Sequence, residues 1–204
     1  MSKLEDKQLI RVRLRLLDLL KSFFAEEPDA ERMSRWRGIF IALGESRIHP
    51  GLDEGVRQLQ LLLAGKNLEE LKEEYYALFV DPYSEQPVDL SASHYLDGKN
   101  FGPSLVLYRQ LLKDARLVKS EEVTEPEDHL VLMLDALATL IEKEPEQETV
   151  KEQEAALIMD FLLPMAQAME KQLTANTQAD FYLSCSVFLI GYLDLEQGLL
   201  ETEL

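Results

Sequence analysis

The chain has 204 residues, 46% hydrophobic and 29% charged, with 9 Gly and 8 Pro; this is enough to bury one sizeable core and excludes a disordered, collagenous or disulfide-stapled protein. Lys plus Arg number 21 against 38 Asp plus Glu, a formal net charge of −17, which excludes nucleic acid as the main ligand. The excess is lopsided, because residues 1–120 hold 18 basic and 19 acidic side chains while residues 121–204 hold 3 and 19. An acidic interaction surface or plain solvation of helix faces therefore belongs to the later part.

In chain order, Leu9, Val12, Leu16, Leu19, Leu20 and Phe23 recur at helical spacing and predict a first helix that ends near Pro28. A second begins at Asp29, carries Met33, Trp36, Ile39, Phe40 and Leu43, and stops at Gly44. Two more are predicted over 53–64, with Asp53 as N-cap, and over 67–79. Residues 80–102 contain Pro82, Pro87, Gly98 and Gly102 and show neither a 3.6 nor a 2.0 period. They read as a long loop, a type of segment that tends to bind, cover or hinge.

After the loop, 103–113 predicts a short helix with Leu107 and Leu111 on one side. The clearest helix follows, with Leu130, Leu134, Leu137, Ala138 and Ile141 in register until Pro145. An acidic linker leads to a helix over about 149–173, which Pro164 should kink or break, and a last helix spans 178 to about 195. No strand pattern stands out. The fold class is all-α: a single domain over 1–204, with helical parts at about 1–79 and 103–195 joined by the 80–102 loop.

No apolar run is long enough to suggest a bilayer span, and nothing near the N-terminus resembles an export signal, so the expectation is a cytoplasmic chain with no stable membrane insertion. The single Cys185 lies among apolar residues and reads as a core thiol. Phosphate-loop, nucleophile-elbow and metal-ligand patterns are absent, and His49, His94 and His129 stand far apart. Catalysis, a bound cofactor and a metal site are not expected.

Two local features remain. Thr124-Glu125-Pro126-Glu127-Asp128-His129 reads as a helix start, with a capping box from Thr124 to Glu127 and Pro126 in the first turn. Helix initiation leaves His129 unexplained, since a charged imidazole is disfavoured at that end. Glu125, Asp128 and His129 could instead offer acceptors and a switchable donor at the mouth of a groove. Tyr75, Leu78 and Phe79 share one side of a helix end that leads into the long loop. Core packing explains Phe79 best, and the Tyr75 hydroxyl suits a rim.

Tyr75-x-x-Leu78-Phe79, a proline-containing loop ending in Tyr95-Leu96-Asp97-Gly98, and Glu125-Pro126-Glu127-Asp128-His129-Leu130 together resemble the TorD/DmsD family of redox-enzyme maturation chaperones. The similarity continues through 153–164 and through Phe181-Tyr182 to Tyr192-Leu193-Asp194. The resemblance implies an all-helical cytoplasmic chaperone of the TorD-like type, not an enzyme. Its implied partners are the twin-arginine leader and the apo-form of a molybdoenzyme catalytic subunit, and its resting state a monomer or a domain-swapped dimer. It implies a signal-peptide site at Tyr75, Leu78, Phe79, Glu125, Pro126, Asp128 and His129. The rival readings are a helical adaptor that never meets a signal peptide and a small nucleotide-dependent enzyme.

Overall fold

A computed structural model describes residues 3–144 and 150–203, and the side chains of 7–144 and 150–201. The expected stop at Pro145 and helix start near Thr149 lie outside the described residues. The chain is helical, and among the described residues the only extended pairing is an isolated antiparallel bridge between Ser91 and His129. The helices are α1 (Lys3–Phe24), α2 (Ala30–Leu43), α3 (Pro50–Gly65), α4 (Leu68–Tyr75), α5 (Ala92–Asp97), α6 (Pro103–Asp114), α7 (Leu130–Lys143), α8 (Val150–Ala156), α9 (Leu163–Ala175) and α10 (Phe181–Glu203). Tyr76–Val80 continues α4 as π-helix, and Leu157–Leu162 joins α8 to α9 in the same form.

Local chemistry explains most boundaries. Asp29 caps α2 by accepting the Arg32 amide at 2.8 Å, and Asn67 with Glu70 forms a full capping box on α4. Helix α3 differs from expectation: it starts at Pro50, and Asp53, one turn inside, reaches back to the Ile48 amide at 2.9 Å. Pro164 supplies no amide for the preceding turn, and the wider π-helical turns lie directly before it, so the helix adjusts where a kink or break was expected.

Two corrections concern regions that periodicity reads poorly. The 80–102 segment contains α5, whose six residues are too short for a 3.6-residue pattern to emerge. Helix α10 runs to Glu203 and is long and apolar enough by composition to cross a membrane, contrary to the sequence expectation. Its Phe181, Tyr182, Cys185, Phe188, Leu189, Tyr192 and Leu193 are buried within the fold, which marks it as a core helix.

The chain divides into two compact units that interleave along the sequence. The first takes Met1–Lys21, Leu90–Met165 and Leu200–Leu204, the second Ser22–Asp89 and Ala166–Leu199. In the first, α7 buries Leu130, Met133, Leu134, Leu137, Leu140 and Ile141. Arg13 of α1 is buried with its guanidinium on Glu144, at 2.8 Å, and on Glu154. In the second, Trp36 stacks on Phe181 with centroids 5.6 Å apart, meets Phe23 edge-on at 5.1 Å, and donates to Ser22 Oγ at 2.8 Å.

Within the second unit, α3 and α10 cross at glycines. A Cβ on Gly191 would lie 2.5 Å from the Gly51 carbonyl carbon, and one on Gly55 would lie 2.6 Å from the Phe188 Cα. Backbone cannot yield as a side-chain tip can. Gly191→Ala is expected to cost about 1–3 kcal/mol of stability through overpacking, read as a lower urea midpoint with native helical circular dichroism retained.

Candidate functional site

The 124–129 motif belongs to the first unit. It forms a turn ahead of α7, closed by the His129 amide on the Pro126 carbonyl at 3.0 Å. The expected capping box is not formed, because α7 starts three residues later than Glu127. His129 is itself the N-cap, its Nδ1 accepting the Val131 amide at 3.4 Å. A neutral imidazole nitrogen is an acceptor, a role that reasoning from a charged histidine overlooks. Glu127 instead meets Arg109 at 2.8 Å, and that guanidinium holds its carboxyl below the usual range. Glu125 is exposed, and its carbonyl accepts Lys119 Nζ at 2.5 Å.

Asp128 faces inward, not to the rim of a groove, and is 1% exposed. Its Oδ2 accepts the Ser93 amide at 2.8 Å and its carbonyl accepts the Ala92 amide at 2.9 Å. These are first-turn amides of α5, whose N-cap Ser91 makes no side-chain cap bond. Asp128 therefore caps α5 from 35 residues away. The Leu130 amide on the Leu90 carbonyl, at 2.7 Å, completes the seam. Asp128 Oδ1 is buried without a hydrogen-bond partner, as is Tyr108 Oη. Burial first, then the charges of Asp128, Glu127 and Asp135, push the Tyr108 hydroxyl well up. Tyr108, Leu112, Leu117, Val123 and Leu132 help to line an apolar cavity of about 350 Å³ beside this turn.

Tyr75, Leu78 and Phe79 belong to the second unit. Leu78 is fully buried, Tyr75 nearly so, and Phe79 half-buried. Tyr75 and Phe79 lie 5.2 Å apart, Phe79 and Tyr182 5.0 Å, and Phe24 closes the cluster 6.3 Å from Phe79. Burial and the carboxylates of Glu26 and Glu27 raise the Tyr75 hydroxyl. The π-helical geometry over Tyr76–Val80 leaves Tyr76 and Val80 about half exposed. Cys185 is fully buried, and burial with the nearby Glu74 charge drives its thiol far above the ordinary value, as befits a core residue.

Sequence reasoning passed over three features. Buried Glu74 caps α10, its Oε1 accepting the Asp180 and Tyr182 amides at 2.8 and 2.9 Å, with Lys66 Nζ 3.6 Å from its other oxygen. Adjacency to Tyr75 was its only local signal. Phe101 is 72% exposed and left-handed at φ 58°, an uncommon pairing for a bulky side chain, with its amide on Ser93 Oγ at 3.1 Å. The third is a carboxylate-rimmed groove between α6 and α8, whose residues are spread over 96–161.

Two outcomes follow. Asp128→Ala should cost about 1–3 kcal/mol by orphaning a buried amide, with faster amide hydrogen exchange confined to Ala92, Ser93 and their α5 neighbours. Because its folded pKa is depressed, Glu127 stabilises the turn above its ordinary value of 4.5 and loses that contribution as pH falls through the folded value. In Arg109→Ala, a carboxyl-resolved NMR titration should show Glu127 moving back up toward that ordinary value.

A family model described as the nitrate reductase delta subunit matches residues 45–171. A protein of Haemophilus influenzae described as the Tat proofreading chaperone DmsD is 28% identical over 178 residues, 86% of this chain and 77% of its own. The chaperone protein TorD of Ferrimonas balearica is 26% identical over 98% of this chain and 94% of its own, and that of Shewanella pealeana is 32% identical over 68% and 69%. A crystal structure from Archaeoglobus fulgidus, described as a redox enzyme maturation protein, covers 89% of this chain and 93% of its own with a TM-score of 0.52. At 16% identity, that likeness speaks for the fold alone. The sequence relatives are named as chaperones and not as catalysts. With its family model spanning more than half its length, the chain belongs to the nitrate reductase delta subunit family, among the TorD/DmsD redox-enzyme maturation chaperones.

Proposed function

We propose that this chain is a cytoplasmic, system-specific chaperone for a molybdopterin-containing oxidoreductase. It binds the enzyme's twin-arginine signal peptide and holds the apo-form of the catalytic subunit back from export while cofactor is inserted. Kinship carries this reading, above all the alignment over 86% of the chain with a relative described as a Tat proofreading chaperone.

The chemistry of the ligand agrees with it. A twin-arginine leader presents two adjacent guanidiniums followed by an apolar stretch, so its receptor needs carboxylates and apolar surface. Exposed Glu125 offers an acceptor for charge-assisted bonds, and Pro126 fixes the turn that presents it. Asp128 and His129 act as positioning residues, the first through α5 and the second through the start of α7. In the second unit, half-buried Phe79 offers apolar surface of its own, backed by buried Leu78 and Tyr75. The surplus carboxylates of residues 121–204 steer a cationic ligand at long range, which makes association salt-sensitive.

The test titrates a labelled leader peptide and its Arg-Arg to Lys-Lys variant into the protein. The arginine form is expected to bind about tenfold tighter or more, because the planar fork pairs bidentately and sheds water more readily. Glu125→Gln should weaken it by about two- to fivefold, the range of an exposed ion pair. Failure to bind either peptide would point to an adaptor, and equal affinity for the two would remove arginine recognition.

A further inference from the structure

The end of α6 gathers positive charge in a chain whose net charge is −17. Four of the 21 lysines and arginines, Arg109, Lys113, Arg116 and Lys119, fall within residues 109–119, and all four line one open hollow of about 560 Å³ in the first unit. Arg109 is engaged by Glu127, and Lys119 donates to the Glu125 carbonyl, which leaves its ammonium further donors. Lys113 and Arg116 are exposed and have no ion-pair partner among the described residues. Against them the hollow sets one carboxylate outside an ion pair, Glu121. Helix α6 closes here through the Leu117 amide on the Leu112 carbonyl at 2.8 Å and the Arg116 amide on the Lys113 carbonyl at 3.1 Å, with Arg116 left-handed at φ 54°. Glycine is usual at that position. The helix dipole accounts for a cation near this end, but an arginine in left-handed backbone carries strain that glycine avoids.

This hollow is continuous with the apolar cavity beside the 124–129 turn, since Leu112, Leu117, Val118 and Val123 line both. Val118 is 94% exposed, an apolar lip shared by the two. The cavity's own carboxylates are matched, Glu127 by Arg109 and Asp135 by Lys21. Its Tyr108 is not. That side chain is fully buried and its hydroxyl has no hydrogen-bond partner. Burial, reinforced by the neighbouring carboxylates, holds the proton on the oxygen, so the group is a donor. A buried donor left unpaired in an apolar cavity calls for an acceptor inside that cavity.

We infer that the cavity and the hollow together bind a small amphiphilic anion, with its apolar body against Leu112, Leu117 and Val123, its carboxylate or phosphate head on Lys113, Arg116 and Lys119, and an inner oxygen accepting the Tyr108 O–H. A cavity of about 350 Å³ lies in the range of small-molecule sites. Since about 150 Å³ suffices for benzene, it admits an apolar body of roughly ten to fourteen carbons. The net −17 does not repel such a ligand from this mouth, because charges beyond about 8 Å are largely screened at physiological salt and the local cations dominate. A peptide fits less well, since its main chain would bring several polar groups to an apolar lining that offers one free hydroxyl. The ligand is opposite in charge to a twin-arginine leader, so the inference stands apart from the proposed function.

The test titrates decanoate, 10-hydroxydecanoate and neutral 1,10-decanediol, each below micelle-forming concentration, into the full chain as wild type, Tyr108→Phe and Lys113→Gln/Arg116→Gln. Calorimetry reads affinity, methyl-resolved NMR reads location, and circular dichroism with the urea midpoint verifies the fold of each variant. Wild type should bind both acids, with shifts centred on Leu112, Leu117 and Val123. In Tyr108→Phe the affinity ratio of 10-hydroxydecanoate to decanoate should fall about fivefold, the worth of one hydrogen bond. The exposed glutamine pair should weaken both acids about five- to tenfold and leave the diol unchanged. A wild type that binds neither acid overturns the inference, as does a diol that binds as tightly as the acids or a ratio that Tyr108→Phe leaves unchanged. Binding to phosphatidylcholine vesicles containing phosphatidylglycerol, abolished by the glutamine pair and without affinity for the free acids, would assign the cations to a membrane surface and overturn it too.

Discussion

The carboxylate of Asp128 is the constraint from which the order of the first unit's candidate surfaces follows. Helix α5 has six residues and a serine N-cap that makes no side-chain cap bond, so alone it is far below the length at which a helix holds together in water. Asp128 supplies the missing acceptors twice over, by side chain to Ser93 and by main chain to Ala92. Once α5 is fixed, Ser93 Oγ accepts the Phe101 amide and Asp97 Oδ2 accepts the Ser104 amide and hydroxyl at 2.9 and 2.6 Å. Those bonds set the start of α6, and with it the positions of Leu107, Leu111 and Asp114. A residue that seems from its motif to be a ligand is thus a keystone one step removed, acting through what it holds in place.

The second unit uses the same device. Glu74 is buried and accepts two amides at the start of α10, 106 and 108 residues away, while Lys66 stands 3.6 Å from its other oxygen. A buried carboxylate is tolerable when amides and a cation replace its water, and a helix N-terminus provides aligned amides. In a chain with 38 acidic residues, a few are therefore structural in the strict sense. Asp128 and Glu74 cap helices in trans, and Glu154 pairs with buried Arg13. Exposed carboxylates such as Glu125 and Asp160 make up a different population, which lies outside the packed core.

This division explains which parts of the sequence were legible. Local devices are written within a few residues of each other, so the Asp29 cap, the Asn67 start and the periodic faces of α1, α2 and α7 can be read directly. Caps in trans leave no such trace. Nothing near Glu74 announces Asp180, and nothing near Asp128 announces Ser93. The motif in 124–129 is visible in the sequence, but the direction of each side chain is not: Glu125 turns to solvent, Glu127 to Arg109, Asp128 inward and His129 to the Val131 amide. The side of α6 that carries Leu107 and Leu111 is legible as a stripe, but not its burial: Leu105 and Tyr108 are buried and Leu107 is exposed. Periodicity identifies apolar faces and says nothing about which is covered when a helix has two.

Local conflict with the fold's own preferences is the most informative signal that remains. A π-helical turn is rarer than an α-helical one and tends to persist where geometry has a use, and among the described residues it occurs at Tyr76–Val80 and Leu157–Leu162. Pro164 gives the second a mechanical cause, since its ring cannot supply the amide an α-helical turn would need. The first is likewise followed by a proline two residues on, Pro82, and it leaves Tyr76 and Val80 half exposed beside a tight aromatic cluster. Asp114 shows the same kind of conflict in electrostatic form, an anion at the negative end of a helix. Helix stability alone would favour a neutral residue there and regular turns elsewhere, so each departure depends on the packing and contacts around it to persist.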